Sequence, residues 1–360
     1  MKHKVIFVYP PSSKDSIPPL VGSLEKAELI EDVEISLTLL NEGSIMNVTN
    51  KVISEVRSSK AKSVVAVSFL SSKLKLIRNF IKLTKSRVRD KAIFLAGGPH
   101  ASGDPLGTLK LLNFDLVMIG EGEKSFAELI SKFISEDDLY NTRGLAYIDP
   151  INNKLVINTP PDPINLDEYS PYSLSLRICT SSLEIMRGCS FKCKFCQTPR
   201  LMGFKPRYRS IETIVEIAEV FVKEFKRKKI KFLAPNGFGY GSRKIGEPNL
   251  EKLEDLLEAV KSVDGVREVH LGTFPSEVRP DFITPEVLEV TRKYVSNRRL
   301  CIGAQSGSDR VLKEICREHD VKTWLKAVDL AMKFGYKPYV DFLFGLPCET
   351  DRDLKLTLSV

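Results

Sequence analysis

Long apolar runs are missing from this 360-residue chain. Runs such as those at residues 64–67 and 93–96 are far too short to cross a bilayer. Cysteine is absent from the first 178 residues, and the total of seven is odd. That excludes a disulfide framework of paired cysteines in the first half and argues for a reducing compartment. The chain opens Met1-Lys2-His3-Lys4 and enters a strand-like run at once, with no signal-peptide pattern. These absences predict a cytoplasmic protein that does not enter a membrane. Charge of one sign is also scarce: 54 Lys and Arg against 46 Asp and Glu leave +8. Spread over a large surface, that excess is a weak pointer to anionic partners. With 42% hydrophobic and 28% charged residues, the chain is neither disordered nor a membrane bundle. At roughly 150 residues per domain it holds two domains. No internal repeat or low-complexity tract is visible.

What is present alternates between strand and helix. Apolar runs at 5–9, 33–40, 63–70, 93–96 and 116–119 read as strands. The run 63–70 is apolar apart from Ser63 and Ser68, as a strand buried on both faces should be. Helical spacing falls at 24–30, 45–58, 74–85 and 123–134. The pattern predicts a doubly wound parallel sheet over residues 1–138. Ligands of such sheets bind beyond the carboxyl ends of the strands. Glycine-rich turns stand there: Gly97-Gly98-Pro99-His100 and Gly120-Glu121-Gly122. Residues 139–178 read as a hairpin, turned by Pro150-Ile151-Asn152-Asn153, and a stiff linker containing Pro160-Pro161-Asp162-Pro163. From 179 to 360 the alternation resumes. Strands at 183–186, 230–233, 269–273, 300–304 and 339–344 predict a partial TIM-like βα barrel.

Directly after the first of those strands stands Arg187-Gly188-Cys189-Ser190-Phe191-Lys192-Cys193-Lys194-Phe195-Cys196, a C-x3-C-x2-C spacing. Thiolates are soft ligands for zinc or for iron–sulfur clusters. A structural zinc needs four closed ligands. No fourth cysteine stands at a usual spacing, and no His lies within 50 residues of the trio. Lys192 and Lys194 interleave the cysteines, which argues against packing in a core. Cys189, Cys193 and Cys196 therefore read as three corners of a four-iron cluster with one iron left open.

This loop, placed after the first strand of a βα barrel, resembles the signature of the radical SAM enzymes. The resemblance implies that the open iron chelates S-adenosylmethionine. Reductive cleavage then gives methionine and a 5′-deoxyadenosyl radical, which abstracts a hydrogen atom from a substrate. Phe195 completes the aromatic position of the loop. Asn236 and Gly237 stand where the family often has Gly-Gly-Glu facing the methionine ammonium, and here the Glu is missing. Gln305 and Ser306 resemble the segment near the ribose. Gly345 and Glu349 lie in the segment resembling the one against the adenine. Arg279, after the third barrel strand, reads as a plain loop arginine.

The first domain resembles the cobalamin-binding domain that many radical SAM proteins carry. The resemblance implies a cofactor tail lined by Ser68, Gly97, Gly98, Pro99, His100, Gly120, Glu121 and Gly122. The Asp-x-His-x-x-Gly motif is absent, so cobalamin would carry no protein imidazole on cobalt. The implied cofactors are a 4Fe-4S cluster, S-adenosylmethionine and cobalamin. The implied function is methyl transfer or another radical modification of an unknown substrate, supported by an external electron donor.

Two rivals differ in kind. Methylthiotransferases share the three-cysteine loop but carry a second cluster in an N-terminal domain, and no cysteine precedes Cys179. A non-catalytic or truncated corrinoid- or cluster-binding protein is the other. Family barrels have six strands and only five are legible here, so a second chain completing the barrel is an expected partner. The run 223–232 holds six basic residues and reads as a solvated helix end, not as a nucleic-acid site.

Overall fold

A computed structural model describes residues 2–360. It divides into two compact units: Met1–Ile164 with Glu168–Thr180, and Asn165–Asp167 with Ser181–Val360.

In the first unit strands and helices alternate in chain order: β1 (His3–Tyr9), α1 (Ile17–Lys26), β2 (Val33–Leu39), α2 (Ile45–Ser58), β3 (Ser63–Ser68), α3 (Leu74–Val88), β4 (Ala92–Gly97), α4 (Gly98–Gly103), α5 (Pro105–Lys110), β5 (Leu116–Met118), α6 (Glu123–Ser135), β6 (Leu145–Ile148) and β7 (Leu155–Ile157). The seven strands form one sheet of order β2-β1-β3-β4-β5-β6-β7. Pairings among β1–β5 are parallel. Strand alternation splits the core in two. Ile6, Val8, Val65, Val67 and Phe94 pack on α2 and α3 through Val52, Val56, Ile77 and Phe80. Val5, Phe7, Val64, Ala66 and Leu95 face α1 and α6 through Val21, Leu24, Phe126 and Ile130. The strand order reverses between β1 and β3, which is where ligands of doubly wound sheets bind.

Three features differ from the sequence reading. The hairpin expected in a linker is β6–β7, and it joins the sheet antiparallel against β5. Buried Leu145 and Ala146 explain why: they complete the two core faces. Gly98, Pro99 and His100, read as part of a turn, open helix α4, with Pro99 in its first turn, where a missing N–H costs nothing. Helix α1 starts at Ile17, well before residue 24, because Pro18 occupies the same permissive position. A short antiparallel pair, β8 (Tyr172–Ser173) and β9 (Ile178–Cys179), ends the unit.

The second unit contains β10 (Leu183–Glu184), β11 (Met186–Arg187), α7 (Thr198–Met202), β12 (Arg207–Tyr208), α8 (Ile211–Lys223), β13 (Lys229–Leu233), α9 (Leu250–Lys261), β14 (Glu268–His270), α10 (Pro285–Tyr294), β15 (Arg299–Gln305), α11 (Asp309–Glu314), α12 (Val321–Lys333), β16 (Lys337–Phe342) and α13 (Asp351–Leu358). Strands β10, β13 and β14 form one parallel ladder and β15–β16 another. A parallel bridge, Val278↔Ile302, and the bond from Cys301 N–H to the Gly272 carbonyl (2.7 Å) join the two runs. The helices start where the sequence supplies caps. Ser210, Asn249, Thr284, Ser308, Asp320 and Thr350 each accept a backbone N–H of the first turn. Among the described residues, no helix is long and apolar enough to cross a membrane.

Candidate cluster and cofactor sites

The cysteine loop is held at its base by chain geometry. Strands β11 and β12 pair antiparallel, Met186 with Tyr208 and Arg187 with Arg207, and so close the segment 188–206. Gly188 adopts φ +82°, and a Cβ there would stand 2.9–3.1 Å from the carbonyls of Lys205, Gly203 and Met202. Only glycine fits. Cys189 N–H bonds the Gly203 carbonyl at 3.1 Å, Lys194 N–H bonds Ile315 at 2.9 Å, and Cys196 N–H turns back to Cys193 at 3.1 Å. Burial pushes the Cys189 thiol up, and the Cys196 and Cys193 charges add to that rise. The Phe191 backbone and Arg279 act in the opposite direction. Burial and the nearby Cys189 likewise push the Tyr208 hydroxyl up to about 12. A cavity of about 100 Å³ beside Cys189 is lined by Phe191, Tyr208, Asn236, Gly239 and Arg243 among others.

Two arginines converge on Cys193, which is buried. Arg317 sends Nη1 toward its Sγ at 3.6 Å, Nη2 to the Gly303 carbonyl at 2.6 Å and Nε to His319 Nε2 at 3.0 Å. Arg279 places Nη1 4.0 Å from the same sulfur and pairs with Asp281 at 3.0 Å. Its guanidinium lies 3.4 Å from the Phe191 ring centroid, and Nη2 donates to the Arg317 carbonyl at 3.0 Å. A guanidinium can only donate, so His319 Nε2 must accept, and the imidazole is neutral. Burial, with Arg317 and Arg279 beside it, lowers His319 to about 4. The reading of Arg279 as a plain loop arginine does not hold: it is 4% exposed. Arg317 and His319 carry no local sequence pattern, and only the fold brings them to the cysteines.

The residues expected to meet S-adenosylmethionine are placed as follows. Phe195 is exposed. Asn236 is 2% exposed; its Oδ1 accepts Arg279 N–H at 3.2 Å, while Nδ2 has no partner and the residue lines the cavity. Gly237 N–H bonds the Glu277 carbonyl at 2.8 Å. Gln305 sits at φ +76°, beside a register shift in β15 that re-aims it. Ser306 Oγ is engaged with Ser308 N–H (3.1 Å) and Thr357 (3.3 Å). Gly345 N–H donates to Glu349 Oε2 at 2.7 Å, and Glu349 Oε1 has no partner. Near these strands Glu277 is pushed up by burial and by Asp341, and Asp341 by burial.

In the first unit, Ser68 ends β3 and its Oγ accepts from Ser16 at 3.0 Å. Gly98 has φ +87°, and a Cβ there would stand 2.9 Å from Ser68 Oγ. Beside Gly97, by contrast, a Cβ would meet nothing within 4 Å. Pro99 sits in the first turn of α4. His100 Nδ1 pairs with Ser71 Oγ at 2.9 Å, and the ring lies 5.1 Å from that of Phe69, tilted by 34°. Gly120 N–H bonds Ser102 Oγ at 3.1 Å. Glu121 Oε2 takes the Ile164 N–H at 3.2 Å, and Gly122 leaves room for Leu20. Space beside Gly97 is open at the end of β4, where Ser68 is its neighbour on β3.

Comparison with known proteins agrees with this division. Residues 183–359 match the radical SAM superfamily model, and residues 29–130 match the B12 binding domain model. The chain carries a B12-binding domain ahead of a radical SAM domain. A protein of Methanocaldococcus jannaschii named as a methylthiotransferase is 32% identical over 287 residues, 78% of this chain and 59% of the relative. This chain thus spans about three fifths of that relative's length. A methyltransferase of Pyrococcus horikoshii is 23% identical over 375 residues, 99% of this chain and 77% of its own length. A tRNA-2-methylthio-N(6)-dimethylallyladenosine synthase of Petrotoga mobilis is 26% identical over 265 residues, 71% of this chain and 58% of its own length. Among solved structures, the cobalamin-dependent S-adenosylmethionine radical enzyme OxsB superposes with TM-score 0.75 and 18% identity, over 99% of this chain and 51% of that one. The radical S-adenosylmethionine methyltransferase TsrM of Kitasatospora setae gives 0.73 and 15%, over 99% and 70%. These likenesses establish the fold.

Proposed function

We propose that this chain is a cobalamin-dependent radical SAM enzyme that cleaves S-adenosylmethionine reductively and modifies a substrate, with methyl transfer the favoured outcome. The observation that carries the reading is three thiols on one hairpin-closed loop, with two buried guanidiniums aimed at the middle sulfur. Cys189, Cys193 and Cys196 would hold the cluster; the soft, anionic donor set and its cationic surroundings suit an iron–sulfur group. When bound, the cluster and S-adenosylmethionine supply one-electron cleavage of a carbon–sulfur bond, and cobalamin supplies a methyl carrier.

The chain's own groups do the positioning. Asn236 Nδ2, buried and unpartnered beside Cys189, offers a donor to a carboxylate or hydroxyl. Gln305, at the shift in β15, brings its amide nitrogen beside Gly303 and the Arg317 guanidinium. Ser68 and Gly97 would line the tail of cobalamin, and no histidine follows β1 to reach cobalt. An external donor would deliver the electron. Anaerobic reconstitution should give about four irons and four sulfides per chain, and zinc in their place would contradict the reading. Methylthio transfer is a second reading, favoured by the names of two relatives. It requires a further sulfur source, and no cysteine precedes Cys179 to hold a second cluster.

A further inference from the structure

We propose that Arg279 and Arg317 form a two-guanidinium clamp that sets the cluster's reduction potential through Cys193. This role rests on the cluster reading above. The buried set leaves one of its cations without a direct ion pair. Arg279 and Arg317 are 4% and 8% exposed and bring two positive charges. Asp281 returns one, and it pairs with Arg279. Arg317 meets a carbonyl and a neutral imidazole, neither of which carries charge. Among the described residues no carboxylate pairs directly with Arg317, although Glu277 and Asp281 lie near enough to act on its charge, and its remaining Nη1 points at Cys193 Sγ. A buried guanidinium with no direct ion pair is costly, so the site is built for negative charge at that sulfur.

The arrangement is one-sided. The described contacts place both guanidiniums on Cys193. Asp281 and the Phe191 ring fix the Arg279 plane, and Arg279 in turn holds the Arg317 carbonyl. Reduction adds one electron and no proton to the cluster, and no bond breaks. Donors aimed at a cluster thiolate stabilise the more negative, reduced form over the oxidised one, and so raise its potential. Both arginines are positioning residues, acting through Cys193 without touching substrate.

The test is a redox titration of the anaerobically reconstituted chain, without S-adenosylmethionine, followed by the EPR signal of the reduced cluster. Arg317→Gln should lower the midpoint by a tenfold or larger change in the reduction equilibrium, about 59 mV for one electron. Arg279→Gln should shift it the same way by less, since its Nη1 is 4.0 Å from sulfur. Arg317→Lys keeps the charge and should shift least. Where Arg317→Gln fails to hold iron, Arg317→Lys and Arg279→Gln decide the matter. An unchanged midpoint with weakened S-adenosylmethionine binding would overturn the clamp and assign the arginines to the cosubstrate. An unchanged midpoint with only a lower urea midpoint would overturn it in favour of a bracing role. If the unaltered chain assembles no iron, the cluster reading itself fails, a separate outcome.

Discussion

Unfolding of the second unit in acid should be governed in part by His319. Its folded-state value of about 4 lies below the ordinary 6.5 because burial, Arg317 and Arg279 all oppose its charge. Between those two values the unfolded chain binds a proton that the folded chain refuses. The stability His319 permits is therefore complete above about pH 6.5 and is lost as pH falls toward 4. The full window is worth about 3 kcal/mol, and the part between about pH 7.5 and pH 5 about 2 kcal/mol. The assay is urea unfolding of the iron-free chain, read by Trp324 fluorescence. Trp324 is the chain's single tryptophan. It is 3% exposed and donates Nε1–H to the Ser306 carbonyl, so it reports the second unit alone. Other groups titrate in the same range, so the comparison is with His319→Gln, whose amide oxygen can accept from Arg317 without taking up a proton. The variant should lose about 2 kcal/mol less than the unaltered chain between the same two pH values. Equal losses in both proteins, or an imidazole that NMR shows charged at pH 6, would refute the reasoning.

Three further outcomes follow from the geometry. Gly188→Ala forces a Cβ against three carbonyls at positive φ, so iron retained after reconstitution should fall, with about 1–3 kcal/mol lost in the Trp324-monitored transition. Gly98→Ala meets Ser68 Oγ and a left-handed backbone; it should reduce cobalt retained after growth with cobalamin while leaving iron content unchanged. Cys193→Ala removes the sulfur both arginines address, and should abolish iron binding as measured by iron and sulfide assay.

Much of the architecture was legible because it rests on local patterns. The largely apolar run at 63–70 marks a central strand, and β3 is buried along its whole length. Cap residues such as Ser210 and Asp320 mark helix starts within a residue or two. Two helix starts were missed although Pro18 and Pro99 sit in first helical turns, where a missing N–H costs nothing. The hairpin at 145–157 was legible as a hairpin but not as part of the sheet, because edge pairing depends on which face is left uncovered. The cysteine spacing announced the cluster loop. The arginines did not announce themselves: Arg279 is 86 residues from Cys193 and Arg317 is 124. Contacts across such separations are set by the order in which strands assemble, not by any nearby motif.

The most direct test of the account is formation of 5′-deoxyadenosine from S-adenosylmethionine by the reconstituted, chemically reduced chain. The account predicts that product from the unaltered protein and none from Cys193→Ala. An iron-loaded chain that binds S-adenosylmethionine, accepts an electron and still yields no 5′-deoxyadenosine would contradict it.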